Sequence, residues 1–381
     1  MSEVMKKILI INPYGGPVIK NDYELGFTEG SLVHALFSLA NLASDYDIRI
    51  LCPNLPGSRQ RYSINHKGIE IVCLGSSRWI SEARVGTPSF IRNAFRYTRL
   101  EKPDIVMGNS VLGTFLVNLF PRVPVKMGII HSLYYASYLN GQSKNSIRII
   151  GALEKASLRL TNLDKVVVVN PVIQRILVKE GFSQDKIAFV GNGVDVEDYF
   201  FCHNKAPCSL IYIGRLTELK MVSSLIEVVS MVKKRIPEVI LHIVGDGPKH
   251  RELSQKIQAL DLSQNVFMHG YLSEREKIQL LSSSALYISN SVFEGFGIPV
   301  VEAMATGTVP VVSDIESHRF IFQGADVGYL VRNEEEMAAR IIDLLTNETE
   351  RLRLARNGRR LAEEKWTWAR VSEKYRELIE E

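Results

Sequence analysis

The chain has 381 residues, of which 46% are hydrophobic and 23% charged, and its formal net charge is +4 at pH 7. Such a length is too great for one ordinary domain and suits two, and the composition is that of a soluble globular protein. A charge this small does not imply nucleic-acid binding by itself, and no apolar run reaches the length of a membrane span.

The start, MSEVMKKILIINPYGG, has two lysines and only a short apolar run, Ile8 to Ile11, so it reads as a first strand and not a signal peptide. Further strand candidates follow in chain order at 48–52, 69–74, 105–107, 125–130, 165–169 and 187–190. After Val194 the pattern lapses through DVEDYFFCHNKAPC, a polar connector. It resumes at 210–213, 239–244, 266–268, 285–288, 309–312 and 328–331. Continuous apolar strands separated by helical stretches argue for parallel sheets covered on both faces. The expected fold class is therefore α/β, with two doubly wound, Rossmann-like domains facing across a cleft. An N-terminal domain is expected over 1–200 and a C-terminal domain over 201–360. A C-terminal helix over 361–381 is expected to pack back on the first domain, with Trp366 and Trp368 as anchors of the charged tail. Ligands of such sheets bind beyond the strand C-termini.

The most informative stretch is SNSVFEGFGIPVVEAMATGTVPVVSD, from Ser289 to Asp314. A strand ends before it, a loop with two glycines carries Glu294, Pro299 opens a short helix and Gly307 closes it. That helix is apolar almost all round, so Glu302 is a carboxylate in a place where an unpaired charge is costly and a partner is required. Glu294 stands in the loop that leads to it. The amides of Gly295, Phe296 and Gly297, just ahead of Ile298, lie at a helix start, where an anion is favoured. A sugar joined to a nucleoside diphosphate presents groups complementary to this set.

Two other strand ends matter. Leu210–Ile213 runs into Gly214-Arg215 and then Lys220. Arginine offers a planar fork for phosphate oxygens and lysine a compact charge, which together stabilise a departing diphosphate without a metal; the plainer reading is a surface pair in a loop. Val244-Gly245-Asp246-Gly247-Pro248 is a tight turn against which a nucleotide base could lie, since Gly245 has no side chain to block it.

GNGVD (191–195), GRLTELK, VGDGP and FEGFGIPVVEA occur in the order and spacing of one family: the chain resembles a GT-B glycosyltransferase of family 4, the retaining group with an E-x7-E motif. The resemblance covers essentially the whole chain and is strongest from Asp164 to Asp314. It implies that Glu302 binds the ribose hydroxyls and that Glu294 lies near the donor sugar. It gives Gly295, Phe296, Gly297 and Ile298 to the sugar and phosphates, Arg215 and Lys220 to the diphosphate, and Gly245 to the donor side. It places His131, after the strand Val125–Ile130, near the anomeric centre as a hydrogen-bonding group and not a general base. A His at a strand end is otherwise more often structural.

The chain departs from the family in two places. Met221 stands where glycine usually follows the lysine. Gly15-Gly16 is followed by PVIKNDYELGFTEG before a helical pattern resumes, so either that loop is lengthened or Thr28-Glu29-Gly30 takes its place. Gly15 and Gly16 are expected to contact donor or acceptor. Asp45-Tyr46-Asp47 mimics a metal-binding D-x-D, but it precedes a strand and reads as a solvated turn; no metal site and no cofactor are expected. Cys52, Cys73, Cys202 and Cys208 lack metal spacing and fit free thiols in a reducing cytoplasm.

Between Arg78 and Lys102 six basic residues meet two acidic ones, with Trp79, Phe90, Phe95 and Tyr97 among them. This is either an ordinary helix with a charged outer face, an amphipathic surface for anionic lipid at the inner membrane face, or a recognition surface for a phosphorylated acceptor. The function expected is retaining transfer of a hexose from a UDP- or GDP-linked sugar to a hydroxyl of a lipid-linked sugar, polysaccharide or small molecule. Alternatives are a nucleotide-sugar 2-epimerase, a sugar phosphorylase, or a non-catalytic partner subunit of the same fold.

Overall fold

Strands without a polar face need cover on both sides, and the chain provides it twice. The computed structural model describes residues 5–14, 17–19, 25–27, 30–54, 61–80, 83–120, 123–131, 133 and 155–381. Two units result: Met1–Asn192 together with Trp368–Glu381, and Gly193–Thr367.

In the first unit an eight-stranded sheet runs, in spatial order, Ile187–Phe189, Lys165–Val168, Val125–Ile130, Ile105–Asn109, Lys7–Ile11, Asp47–Cys52, Ile69–Cys73 and Tyr62–His66. All neighbours are parallel except the last pair, in which Tyr62–His66 runs antiparallel to Ile69–Cys73. The order reverses between Lys7–Ile11 and Ile105–Asn109, which makes a switch point at their C-terminal ends. Close approach of the next helix to those ends depends on small residues. A Cβ at Gly108 would stand 2.3 Å from the backbone of Gly113.

The core of this unit takes Ile8, Ile10, Ile50, Met107 and Ile129 from the sheet and Leu32, Leu36 and Leu39 from the helix Gly30–Leu39. Val371, Tyr375 and Ile379 join it from the helix Trp368–Glu380. Ser372 Oγ on that helix donates to the carbonyl of Ser38 at 2.7 Å. Cys52 and Cys73 are opposed in register on adjacent strands and buried, with their thiol sulfurs 3.4 Å apart.

The D-x-D triplet is a structural turn. Asp45 pairs with Arg376 at 2.6 Å and Asp47 with Arg49 at 3.0 Å. The basic segment is part hairpin, Ser77–Ile80 with Ala83–Gly86, and part helix, Pro88–Glu101. Phe90 and Tyr97 are core side chains, 0% and 5% exposed, and Phe95 stacks on Phe120 at 4.2 Å, so these aromatics face inward and not toward a lipid surface. The side chain of Trp79 lies outside the described residues. No helix among the described residues is long and apolar enough to cross a membrane.

In the second unit six parallel strands run Val266–Gly270, Ile240–Val244, Ala206–Ile213, Ser284–Ser289, Val309–Ser313 and Tyr329–Val331. Here the order reverses between Ala206–Ile213 and Ser284–Ser289. One face of the sheet packs on Val222–Lys233 and Glu334–Thr346, whose Leu225, Val229, Met337 and Ile341 are buried. A second cluster takes in Val300, Val301, Ala303 and Met304 of the helix Ile298–Thr306, with Leu361 and Trp366. The expected strands recur within a residue or two of their ends, except that the one expected at 210–213 begins four residues earlier, at Ala206. The antiparallel strand and the two short hairpins, Pro17–Ile19 with Leu25–Phe27 and Ser77–Ile80 with Ala83–Gly86, had no counterpart in the sequence reading.

Candidate active site

The second switch point gathers most of the predicted residues. Strand Ala206–Ile213 ends at Gly214-Arg215, and strand Ser284–Ser289 beside it leads into the Glu294 loop. The two loops are tied together, Val292 N–H donating to the carbonyl of Leu219 at 3.0 Å. That tie delivers Lys220 to Glu294, with Nζ and Oε2 2.5 Å apart. Burial alone would push the Glu294 carboxyl up. Lys220, His318 and hydrogen bonds from Lys220 and Ser291 outweigh it and hold the carboxyl below its usual range. Ser317 Oγ donates to the Glu294 carbonyl at 2.8 Å and fixes the loop from the other side.

Gly297 ends that loop at φ 104°, left-handed, and Pro299 starts the helix Ile298–Thr306. Phe296 is anchored edge-on against Trp366 at 5.5 Å, so its side chain is core while its amide remains on the loop. His318 lies under the loop, fully buried. Its Nδ1 donates to the Ser313 carbonyl at 2.8 Å, which leaves Nε2 without a hydrogen-bond partner and beside Gly297. Burial lowers its pKa, against the pull of Glu294.

Glu302 faces away from this pair, and its partner is not Glu294. Its Oε1 accepts from Lys277 Nζ at 2.9 Å and from Tyr199 OH at 2.7 Å, while Oε2 is buried and has no partner. Glu274 completes the cluster, with Oε1 2.5 Å from the Tyr199 oxygen, whose single proton the two carboxylates share, and pairing with Lys277 at 2.8 Å. Burial works against the Lys277 charge, yet Glu302 and Glu274 raise its pKa to about 12. Lys277 and Tyr199 are absent from the sequence reading because their distances along the chain from Glu302 carry no periodic signal. The one available hint was the need of a buried carboxylate for a cation.

Arg215 is exposed at its strand end, with its carbonyl accepting from Tyr212 OH at 3.2 Å. Met221 sits at φ 49°, a left-handed position at the start of the helix Val222–Lys233. The glycine usual there therefore answers a backbone requirement, and Met221 meets it at a strain of about 1–2 kcal/mol. Gly245, at φ 127°, has a structural reason to be glycine: a Cβ there would lie 2.1 Å from the Gly214 carbonyl oxygen. Gly245→Ala is expected to destabilise the second unit by at least about 2 kcal/mol, read as a lower urea midpoint at unchanged m.

His131 belongs to the first unit, at the end of Val125–Ile130, where Nε2 meets Asn109 Oδ1 at 2.7 Å. Its ring lies edge-on to His34 at 4.7 Å, and His34 bridges Asn192 Oδ1 at 2.5 Å and Tyr375 OH at 3.1 Å. Ser110, beside Asn109, holds φ 76° with a buried hydroxyl that has no partner. Such strain marks a position held by its surroundings. Gly15 and Gly16 lie outside the described residues. Among the described residues no three His, Cys, Asp or Glu side chains converge as metal ligands.

Burial pushes the pKa of His34 from 6.5 down to about 4, the Asn192 hydrogen bond opposing. Between those values the unfolded chain binds the proton and the folded chain does not. The His34 contribution, about 3 kcal/mol, is thus complete above pH 6.5 and lost as pH falls toward 4. Urea melts of wild type and His34→Gln at pH 7 and 4.5 should show a smaller pH dependence in the variant.

The family described as Glycosyl transferases group 1 matches residues 201–361, and Glycosyltransferase Family 4 matches residues 30–198. The two matches together take in most of the chain, which belongs to the GT-B glycosyltransferases of the family 4 type. It is 28% identical over 259 residues to the poly(ribitol-phosphate) alpha-N-acetylglucosaminyltransferase of Staphylococcus aureus, a match spanning 67% of this chain and 50% of that protein. To the poly(glycerol-phosphate) alpha-glucosyltransferase of Bacillus subtilis it is 26% identical, over 62% of this chain and 34% of the relative. The chain thus spans half or less of the length of these two curated relatives. Among solved structures it shares its fold with Anabaena HepE, solved with UDP and glucose, at a TM-score of 0.75 and 15% identity over 98% of this chain and 99% of that one.

Proposed function

We propose that the chain transfers a hexose or N-acetylhexosamine from a nucleoside diphosphate sugar to a hydroxyl acceptor, with retention at the anomeric carbon. The observation that carries this reading is the Lys220–Glu294 pair held beside a helix start at the switch point of the second sheet. Lys220 and Arg215 hold the diphosphate, and the helix start after Gly297 adds its dipole. Charge that develops on the departing phosphate meets groups already in place, so little reorganisation opposes the step and no metal is called on. Glu294 accepts hydrogen bonds from the sugar, and Glu302 Oε2 takes the ribose hydroxyls. On this reading the acceptor attacks from the face the phosphate leaves, and the phosphate takes the acceptor proton. The relatives named for poly(ribitol-phosphate) and poly(glycerol-phosphate) support a polyol-phosphate or glycan acceptor.

A thermal-shift panel with UDP, GDP, ADP and their sugar conjugates tests the donor. One nucleotide should raise the melting temperature by mass action, and Arg215→Ala should reduce the shift. Absence of any shift would sink the reading. Product formed with no acceptor present would indicate an epimerase, and dependence on inorganic phosphate a phosphorylase.

A peripheral membrane contact is a second, separate reading. Its support is the row Arg92, Arg96, Arg99 and Lys102, all exposed, with Leu100 at 71%. Co-sedimentation with anionic vesicles should then occur at low salt and vanish at high salt. No binding at low salt removes it.

A further inference from the structure

Asn12, Asn109 and His131 stand at the C-terminal ends of three adjacent strands of the first sheet, Asn12 and His131 one residue past theirs. Strand order sets Lys7–Ile11, Ile105–Asn109 and Val125–Ile130 side by side, with Ile11 opposite Gly108 and Asn109 opposite Ile129. Both asparagines are fully buried. Their hydrogen bonds form a chain whose direction is fixed at one end. The Tyr14 carbonyl can only accept, so Asn12 must present Nδ2 to it, at 2.5 Å. That turns Asn12 Oδ1 toward Asn109, which answers with its own Nδ2 at 2.9 Å. Asn109 Oδ1 is then what faces His131, and it accepts from Nε2 at 2.7 Å. A backbone carbonyl thus resolves both amide orientations.

Burial, and then His34, push the His131 pKa well below 6.5, so the ring is neutral near pH 7 and carries one N–H. We propose that Asn12 and Asn109 are positioning residues that hold His131 in its Nε2–H tautomer, so that Nδ1 serves as a hydrogen-bond acceptor for a sugar hydroxyl. The identity of that hydroxyl rests on the sugar-transfer reading; the tautomer does not. Nδ1 receives the O–H without taking its proton, because an imidazolium would be buried against the His34 ring, 4.7 Å away.

Nitrogen-15 spectra of histidine-labelled protein, with His131 assigned by its loss in His131→Gln, read the tautomer directly. Wild type should show a pyrrole-type Nε2 and a pyridine-type Nδ1 at pH 7. In Asn12→Leu, which touches Asn109 and not the ring, both shifts should move toward the tautomer average; should that variant fail to fold, Asn109→Ala gives the same reading. A pyrrole-type Nδ1 in wild type, or shifts unmoved in a folded Asn12→Leu, overturns the proposal. With UDP-glucose as probe, UDP release by Asn109→Ala should show kcat down about tenfold at a KM changed by less than about twofold. A fall in KM and kcat together, with the wild-type tautomer retained, would also overturn it. The spectra need no donor, so failure of every nucleotide sugar would count against the transfer reading and leave the tautomer to be read on its own.

Discussion

Replacing Glu294 by glutamine is expected to lower kcat for sugar transfer by about 10²–10³, with a smaller change in the donor KM. The substitution keeps the shape of the side chain and removes the charge that faces Lys220 across 2.5 Å. Lys220→Ala should give a loss of the same order. The double variant should be little worse than either single one, because the two groups touch and act as a unit. Steady-state rates with a saturating donor check this; a kcat in Glu294→Gln within a few-fold of wild type would remove Glu294 from the reaction. The pair also has a signature in stability. The folded carboxyl lies below its ordinary value of 4.5, so its contribution is full above that pH and is lost as pH falls through the lower folded value.

Lys277→Met is expected to cost about 3–5 kcal/mol, the penalty for leaving one partner of a buried ion pair alone. Glu302 is 6% exposed and Oε2 is already without a partner, so the loss of Lys277 leaves Tyr199 as the one remaining donor among the described residues. Methionine preserves most of the volume of the lysine stem, which separates loss of charge from loss of packing. Calorimetry should show the transition of the Gly193–Thr367 unit moved to lower temperature, with the other unit's transition in place. Adding Glu302→Gln should recover much of the loss, since a neutral amide needs no counter-charge. Equal melting of Lys277→Met and wild type would mean that water, and not lysine, solvates Glu302.

Much of this arrangement was legible in the chain because it is local. The apolar runs gave thirteen strands, and Pro299 and Gly307 bracketed the helix that the structure places at Ile298–Thr306. GRLTELK and FEGFGIPVVEA announced Lys220 and Glu294, whose contact depends on two strands being neighbours at a switch point. What remained hidden is pairing across the chain. Lys277 lies 25 residues from Glu302 and Tyr199 lies 103, separations with no pattern to betray them. Asn12 and Asn109 were overlooked for another reason. A single polar residue closing an apolar run looks like the end of a strand, and only the sheet order reveals that two such ends adjoin. Tyr62–His66 alternates half-buried and exposed positions at a sheet edge, a weaker signal than a buried run. The basic segment holds an ordinary helix with a charged outer face, one of the readings its sequence allows, with Phe90 and Tyr97 in the core and Arg92, Arg96 and Arg99 exposed.

The helix Trp368–Glu380 places Val371, Tyr375 and Ile379 in the core of the first unit, although the whole second unit precedes it in the chain. During vectorial synthesis the usual order of events is therefore inverted. The ribosome delivers most of the first unit early, yet a share of its core and the hydroxyl that faces His34 emerge only after the continuous second unit has had time to fold. Until then the open surface over Leu32, Leu36 and Leu39 is exposed, and nascent chains stalled before residue 368 are the species that chaperones would meet.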